Sequence, residues 1–347
     1  MASMSEDKKE ARAAFAVELE SPPPPSSSES STSPSSTTLC PTLWPACPNA
    51  AQHRASQPWQ GGEKDAPRHL LSYDEIPDWY RDNKYIRHGY RPVSNSTRSS
   101  LGSWLYLHNE TVNIYSHLVP AVCFLLGEWY VLQFLHSRYR EVSLADHLIF
   151  AFFLLTASGC LGLSSAYHTM INHSQQVEAL WLRLDFVGIV LLTTGDIVSG
   201  VYLVFWCEPL ERKIYWSMIL GLGAVTVFIL LSPWFRGPKW RTVRVLIFVL
   251  TGLSGLAPLC HGIQMFGITQ MVRQSGLPYY LAEGFLYGLG ALVYATRIPE
   301  SIWPGRFDIF GCSHQLFHVL VVLATVTHLV GILLAHDYNY NHRVCSA

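Results

Sequence analysis

From residue 112 onward the chain alternates long apolar runs with short polar gaps. The pattern predicts helical spans over residues 113–135, 146–168, 184–206, 214–232, 243–266, 278–296 and 314–335. A hydrocarbon core of ~30 Å takes about 20 residues of helix to cross, and each run is close to that length. The gaps carry turn signals, among them SPWFRGPKWR, RQSGLP and RIPESIWPGRFD. An all-α, integral membrane bundle of seven helices is the expected fold, and no internal repeat period is visible.

Upstream the pattern inverts. Residues 21–38, SPPPPSSSESSTSPSSTT, cannot bury enough apolar surface to fold, so residues 1–68 are expected to form a disordered cytosolic tail. Residues 69–112 read as a juxtamembrane segment. Within it SYDEIPDWYRDNKYIRHGYRP, 72–92, is expected to lie at the membrane interface with its aromatics at headgroup level. The membrane domain is expected over 113–336 and a short extracytosolic tail over 337–347.

Composition supports this reading. Hydrophobic residues make up 49% and charged residues only 14%, where a soluble chain carries about 25% charge. The net charge is −1 with no basic domain, which argues against a nucleic-acid partner. The eight cysteines are dispersed without a CxxC pair. Cys123, Cys160, Cys207 and Cys260 sit in or beside apolar runs and read as small hydrophobes, so neither a disulfide framework nor a thiolate metal site is expected.

Lysine and arginine placement sets an expected orientation. Arg81, Lys84, Arg87, Arg91 and Arg98 precede the first span. Arg236, Lys239, Arg241 and Arg244 flank the 4–5 gap, and Arg297 and Arg306 the 6–7 gap. The opposite face carries Arg138, Arg140, Arg212, Lys213, Arg273 and Arg343. Leaving aside Arg183 at the edge of the third span, eleven against six places the N-terminus in the cytosol and the C-terminus outside. The sequons at Asn95, Asn109 and Asn172 then face the cytosol and stay unglycosylated.

Ionisable residues inside apolar runs mark function. Ser164 and His168 end the second span, Asp185 opens the third, and His314 and His318 open the seventh. Glu110, Asn113 and His117 open the first. In an alternating topology all of these fall in the cytosolic leaflet. His314 and His318, spaced i,i+4, share a helix face, as do Ser164 and His168. Three histidines with an open fourth position are the material of a Zn²⁺ site, and Asp185 would hold or deprotonate its water. His117 is either a further ligand or, with Glu110 and Asn113, part of a supporting polar network. His328, ~15 Å further along the helix, cannot join. Asp196 in TTGDIVSG is either a structural hydrogen-bonder or a functional group, and His336, Asp337 and His342 read as solvated.

HNETVNIYSH, SSAYHTM, LDFVGIVLL and YATRIPESIWPGRFDIFGCSHQLFHVLVV together resemble the progestin and adipoQ receptor family, also called the haemolysin III superfamily. The likeness is nearest to adiponectin receptors and their fungal homologues and covers residues 72–336. It implies seven helices with a cytosolic N-terminus, zinc on His168, His314 and His318, Asp185 positioning a water, and Ser164 one turn before the first ligand. Asp196 departs from the family, which usually has an apolar or small residue there. The resemblance implies either a ceramidase-type hydrolase of lipid amides or a receptor in which zinc is structural, acting in lipid and zinc homeostasis. Expected partners are a membrane lipid, such as ceramide or its fatty acid product, and alternatively an extracellular or steroid ligand. A plasma-membrane or endoplasmic-reticulum setting fits both. A metal transporter is the weaker reading, because the outer halves of the spans look apolar.

Overall fold

The computed structural model describes residues 69–235 and 240–345. The predicted tail over 1–68 lies outside them, as do Arg236 and Lys239 of the orientation count. Among the described residues nine α-helices follow in order: α1 Thr97–Gly102, α2 Thr111–Arg138, α3 Leu144–Met170, α4 Gln175–Val204, α5 Pro209–Leu231, α6 Arg241–Leu253, α7 Leu256–Gln274, α8 Leu277–Thr296 and α9 Ser313–His342. Among the described residues six stretches are long and apolar enough to cross a membrane: α2, α3, α4, α5, α9 and Leu246–Gln274 across α6 and α7. Tyr279, Tyr280, Tyr287 and Tyr294 make α8 less apolar, yet it packs along α9 in the same bundle. Each predicted span therefore coincides with a helix or, in the fifth, a pair of them.

α4 is the central helix, with 78% of its apolar window buried against 22% for α2. It packs on α3 so closely that side chains would intervene. A Cβ on Gly188 would meet the Cys160 backbone at 3.1 Å, and one on Gly195 would meet Thr156 Oγ1 at 2.0 Å. Small residues at such crossings let backbones approach inside a bilayer. The core between α2, α3, α4 and α9 is filled by Phe150, Phe153, Leu154, Leu161, Leu203 and Ile332. Leu126, Trp129, Tyr130, Phe228 and Phe285 point outward and exposed, the surface that lipid would cover.

Four expectations need correction. The fifth span is not one helix: it breaks at Ser254–Gly255, and Gly267 sits at φ +74° inside α7. Pro258 supplies no N–H for the carbonyl of residue 254, and the neighbouring glycines cost little to bend. In the 72–92 segment Tyr80 and Tyr90 turn into the protein rather than outward. Its three-residue 3₁₀ turns fold over the bundle end, burying Ile76, Tyr80, Ile86 and Tyr90 against Tyr167, Ile171 and Cys312.

The tail from 337 is also not a loose extension. α9 runs to His342, and His336 is fully buried with Nε2 3.4 Å from Asp146 Oδ1. Asp337 accepts from Tyr139 Oη at 2.9 Å, while His342 is exposed as expected. Finally, Cys207 and Cys345 form a disulfide across 138 residues, tying the α4–α5 turn to the end of α9. Dispersed cysteines without a short spacing give no hint of such a pair, because their proximity comes from helix packing alone.

Candidate metal centre

The starts of α2, α4 and α9 meet the end of α3 at one end of the bundle. Three devices fix the backbone there. Arg91 is fully buried and caps the C-terminus of α3: its guanidinium donates to the His168 carbonyl at 2.6 Å, to the Thr169 carbonyl at 3.1 Å and to Ser103 Oγ at 2.7 Å. A cation at a helix C-terminus also meets the negative end of its dipole. Glu300, equally buried, caps the start of α9 by accepting from the Ser313 N–H at 2.7 Å and from the Ser313 hydroxyl, and it holds Asn83 Nδ2 at 3.1 Å. Asp308 ties the overlying segment down by accepting from the N–H groups of Arg87 and His88 at 2.8 and 2.9 Å.

On that frame His168, His314 and His318 converge, with one nitrogen of each within 4.8 Å of the others. His168 and His318 are buried and His314 is half-buried. The rest of the lining fixes the ring nitrogens. His168 Nδ1 donates to Glu110 Oε2 at 2.8 Å, so its Nε2 carries a lone pair. That lone pair faces His314 Nε2 at 3.2 Å. His318 Nδ1 sits 3.2 Å from the Asn113 carbonyl and 3.1 Å from Ser116 Oγ, so it too keeps Nε2 free. Glu110 Oε2 additionally accepts from Asn113 Nδ2 at 2.7 Å.

The donor set fits a zinc ion. Nitrogens bound at ~2.0–2.1 Å in a tetrahedron lie about 3.3–3.4 Å apart, close to the 3.2 Å between the two imidazoles. Ring nitrogens this close in a buried place need a proton or a metal cation between them, and a metal cation satisfies all three imidazoles at once. The carboxylate on His168 Nδ1 is the usual support for a metal-binding imidazole.

Asp185 lies one turn before Gly188, and the close α3–α4 crossing brings it opposite Ser164 and near His168. The five candidate residues thus share one end of the bundle. His117 is not one of the converging group. It stacks on His318, ring centroids 3.7 Å apart and planes 6° off parallel, and its own nitrogens have no partner. Glu110 and Asn113 form the supporting network, the second of the two roles read from the sequence. The positioning roles of Arg91 and Glu300 were missed. Glu300 stands in RIPESIWPGRFD, where an acidic residue upstream of a helix start is the available clue; nothing local marks Arg91.

Away from this end the bundle interior is less apolar than expected. Asp196, Glu283 and His328 cluster deep between α4, α8 and α9, and Asp146 faces His336 nearer the far end. That removes the apolarity on which the transporter reading was set aside. His328 stays outside the histidine group, as the helical rise requires.

An all-helical bundle with outward apolar faces and buried ionisable residues defines a multi-pass integral membrane protein. The chain belongs to the family described as Haemolysin-III related, which matches residues 105–329. It is 38% identical over 277 residues to the ADIPOR-like receptor IZH2 of Saccharomyces cerevisiae, covering 79% of this chain and 86% of that protein. It is 35% identical over 277 residues to the Adiponectin receptor protein of Drosophila melanogaster, covering 80% of this chain and 62% of the fly protein, so it spans less than two thirds of that relative. It is 33% identical over 337 residues to Heptahelical transmembrane protein 4 of Arabidopsis thaliana, covering 75% and 86%. The protein is adiponectin-receptor-like, and the seven-span reading agrees with the plant relative's name.

Proposed function

We propose that this protein is a zinc-dependent hydrolase of a lipid amide such as ceramide, acting in lipid and zinc homeostasis signalling. One observation carries the reading: His168, His314 and His318 converge at the bundle end where Asp185 faces Ser164. A zinc ion held by the three imidazoles supplies a Lewis-acid centre with an open coordination position. With no carboxylate among the ligands, that centre keeps its full charge for polarising an amide carbonyl.

The chain's own residues do the rest. Asp185 takes the proton of the attacking water and returns it to the amine nitrogen as the carbon–nitrogen bond breaks, leaving a fatty acid and a free amine. Ser164 orients the Asp185 carboxylate. Glu110 keeps the proton on His168 Nδ1, so that Nε2 faces inward. The outward apolar faces of the helices put the substrate in the lipid phase.

A cytosolic N-terminus is part of this reading. The Cys207–Cys345 disulfide lies at the end opposite the histidines, and disulfides persist on the oxidising side of a membrane. That argument is independent of the lysine and arginine count. The names of the relatives favour a second reading, a receptor in which zinc only staples α3 to α9.

The deciding experiment measures bound zinc and ceramide turnover in purified protein with and without Asp185→Asn. The hydrolase reading expects zinc in both and turnover lower by ~10²-fold or more in the variant, the scale for losing a general base. Equal turnover with zinc in both leaves the zinc-stapled receptor.

A further inference from the structure

Asp196 from α4, Glu283 from α8 and His328 from α9 place one ligand atom each within 4.8 Å of the others, and all three residues are buried. We propose that they form a second metal site, separate from the histidine triad, that takes a divalent transition ion of the zinc, manganese and iron(II) class. The inference does not depend on the hydrolase reading.

Hydrogen accounting leads to it. His328 Nε2 lies 2.9 Å from Ser199 Oγ, and Ser199 Oγ lies 2.7 Å from the Gly195 carbonyl. A serine hydroxyl has one hydrogen. With that hydrogen on the Gly195 carbonyl, a neutral His328 donates from Nε2 toward Ser199. Nδ1 is then a bare lone pair, yet it stands 2.7 Å from Glu283 Oε2. Two acceptors at that distance need a proton or a metal cation between them.

The same deficit recurs beside it. The Asp196 and Glu283 carboxyl groups are within hydrogen-bonding reach of each other, although neither is a donor when ionised. Asp196 Oδ2 accepts from Tyr287 Oη at 3.2 Å, whereas Asp196 Oδ1 is buried without any partner, on a residue only 8% exposed. An orphaned carboxylate oxygen in such a place is costly. Protons would have to fill both gaps separately, one on His328 and one on a carboxyl. One divalent ion fills both.

Charge balance agrees. Two carboxylates neutralise a divalent ion, so the loaded cluster places no net charge in the bundle interior, unlike three neutral imidazoles around the same ion. Imidazole with carboxylate oxygens suits zinc, manganese and iron(II). The chain from His328 Nε2 to Ser199 to the Gly195 carbonyl is the outer support a metal-bound imidazole requires. Asp196, the family departure, gains a role on this account.

The test is metal stoichiometry of the full chain in detergent, stripped with chelator and titrated with Zn²⁺. Two equivalents are expected for the unaltered protein. Asp196→Asn with Glu283→Gln should bind one, and the variant with His168, His314 and His318 all changed to Ala should bind the other. Helical content by circular dichroism checks folding. If the double variant is unfolded, Glu283→Gln alone is read instead, with the second equivalent at least tenfold weaker. One equivalent in the unaltered protein, the result expected for a cluster filled by protons, overturns the proposal. So does a second equivalent that survives the Asp196 and Glu283 changes.

Discussion

His168 Nδ1 donates to Glu110 Oε2 at 2.8 Å, and both groups are shielded from solvent. The two residues are 58 positions apart, on α3 and at the start of α2. The contact favours the ring orientation in which Nε2 of His168 faces the other two imidazoles. Glu110→Ala removes the acceptor and lets the ring flip or change tautomer. Zinc affinity, measured by competition with a chelator, should fall about 10–100-fold, the usual effect of losing such an outer partner.

Arg91 reaches the same residue from its backbone side. Its guanidinium holds the carbonyls of His168 and Thr169. Arg91→Met keeps most of the volume and removes every donor, leaving those carbonyls unpaired in a buried place. Hydrogen bonds to charged groups are worth about 1.5–3 kcal/mol, so detergent-solubilised protein should melt at a visibly lower temperature. If zinc content also drops in the folded fraction, Arg91 positions His168 as well as stabilising the helix end.

Much of this was legible in the sequence, for a physical reason. Membrane spans are long, so hydrophobic length alone located the seven spans of the bundle, although not the break at Ser254–Gly255 that divides the fifth. The short gaps force the alternation that puts residues 164, 168, 185, 314 and 318 at one end. The partners were less legible. Arg91 meets His168 through tertiary packing, and Cys207 meets Cys345 only because α4 and α9 end side by side. His336 looked like a tail residue, because the apolar run stops at 335 while the helix continues to His342. Its burial comes from the neighbouring Tyr139, Phe150 and Trp206 rings, which no local pattern reveals.

The disulfide and the sequons together test the orientation. Asn109 and Asn172 are buried, and Asn172 holds Ser100 Oγ at 2.9 Å and the Pro92 carbonyl at 3.0 Å. Neither could carry a glycan in the folded protein on either side of the membrane. Asn95 is exposed and is the informative position. With a cytosolic N-terminus, Asn95 should be unmodified, and an N-terminal tag should resist protease added to sealed cells. A glycosidase-sensitive mass shift abolished by Asn95→Gln would reverse the topology.

Removing the disulfide should cost stability without touching the histidine triad at the other end. Closing a long loop contributes typically 2–4 kcal/mol by restricting the unfolded chain. Cys207→Ser should therefore lower the melting temperature in detergent, and added reductant should do the same to the unaltered protein but not to the variant. Zinc stoichiometry should be unchanged in both. Loss of zinc on reduction would mean that the two ends of the bundle are coupled.

His108 supplies a pH dependence of known sign. It lies in the segment before α2, fully buried, and its Nδ1 accepts the Glu110 N–H at 3.1 Å. Burial first, and then the nearby Arg91 guanidinium, push its pKa down to about 3 from 6.5. The folded protein thus keeps His108 neutral while the unfolded chain protonates it below about 6.5. Its contribution to stability is complete above pH 6.5 and is lost progressively as pH falls from there toward 3. The diagnostic quantity is the difference between the variant and the unaltered protein. Between pH 7 and pH 5 the melting temperature of His108→Gln should fall less steeply than that of the unaltered protein, by the equivalent of about one proton. Identical slopes would show that His108 is charged in the folded state, and would place a negative partner beside Nε2 that the present geometry does not contain.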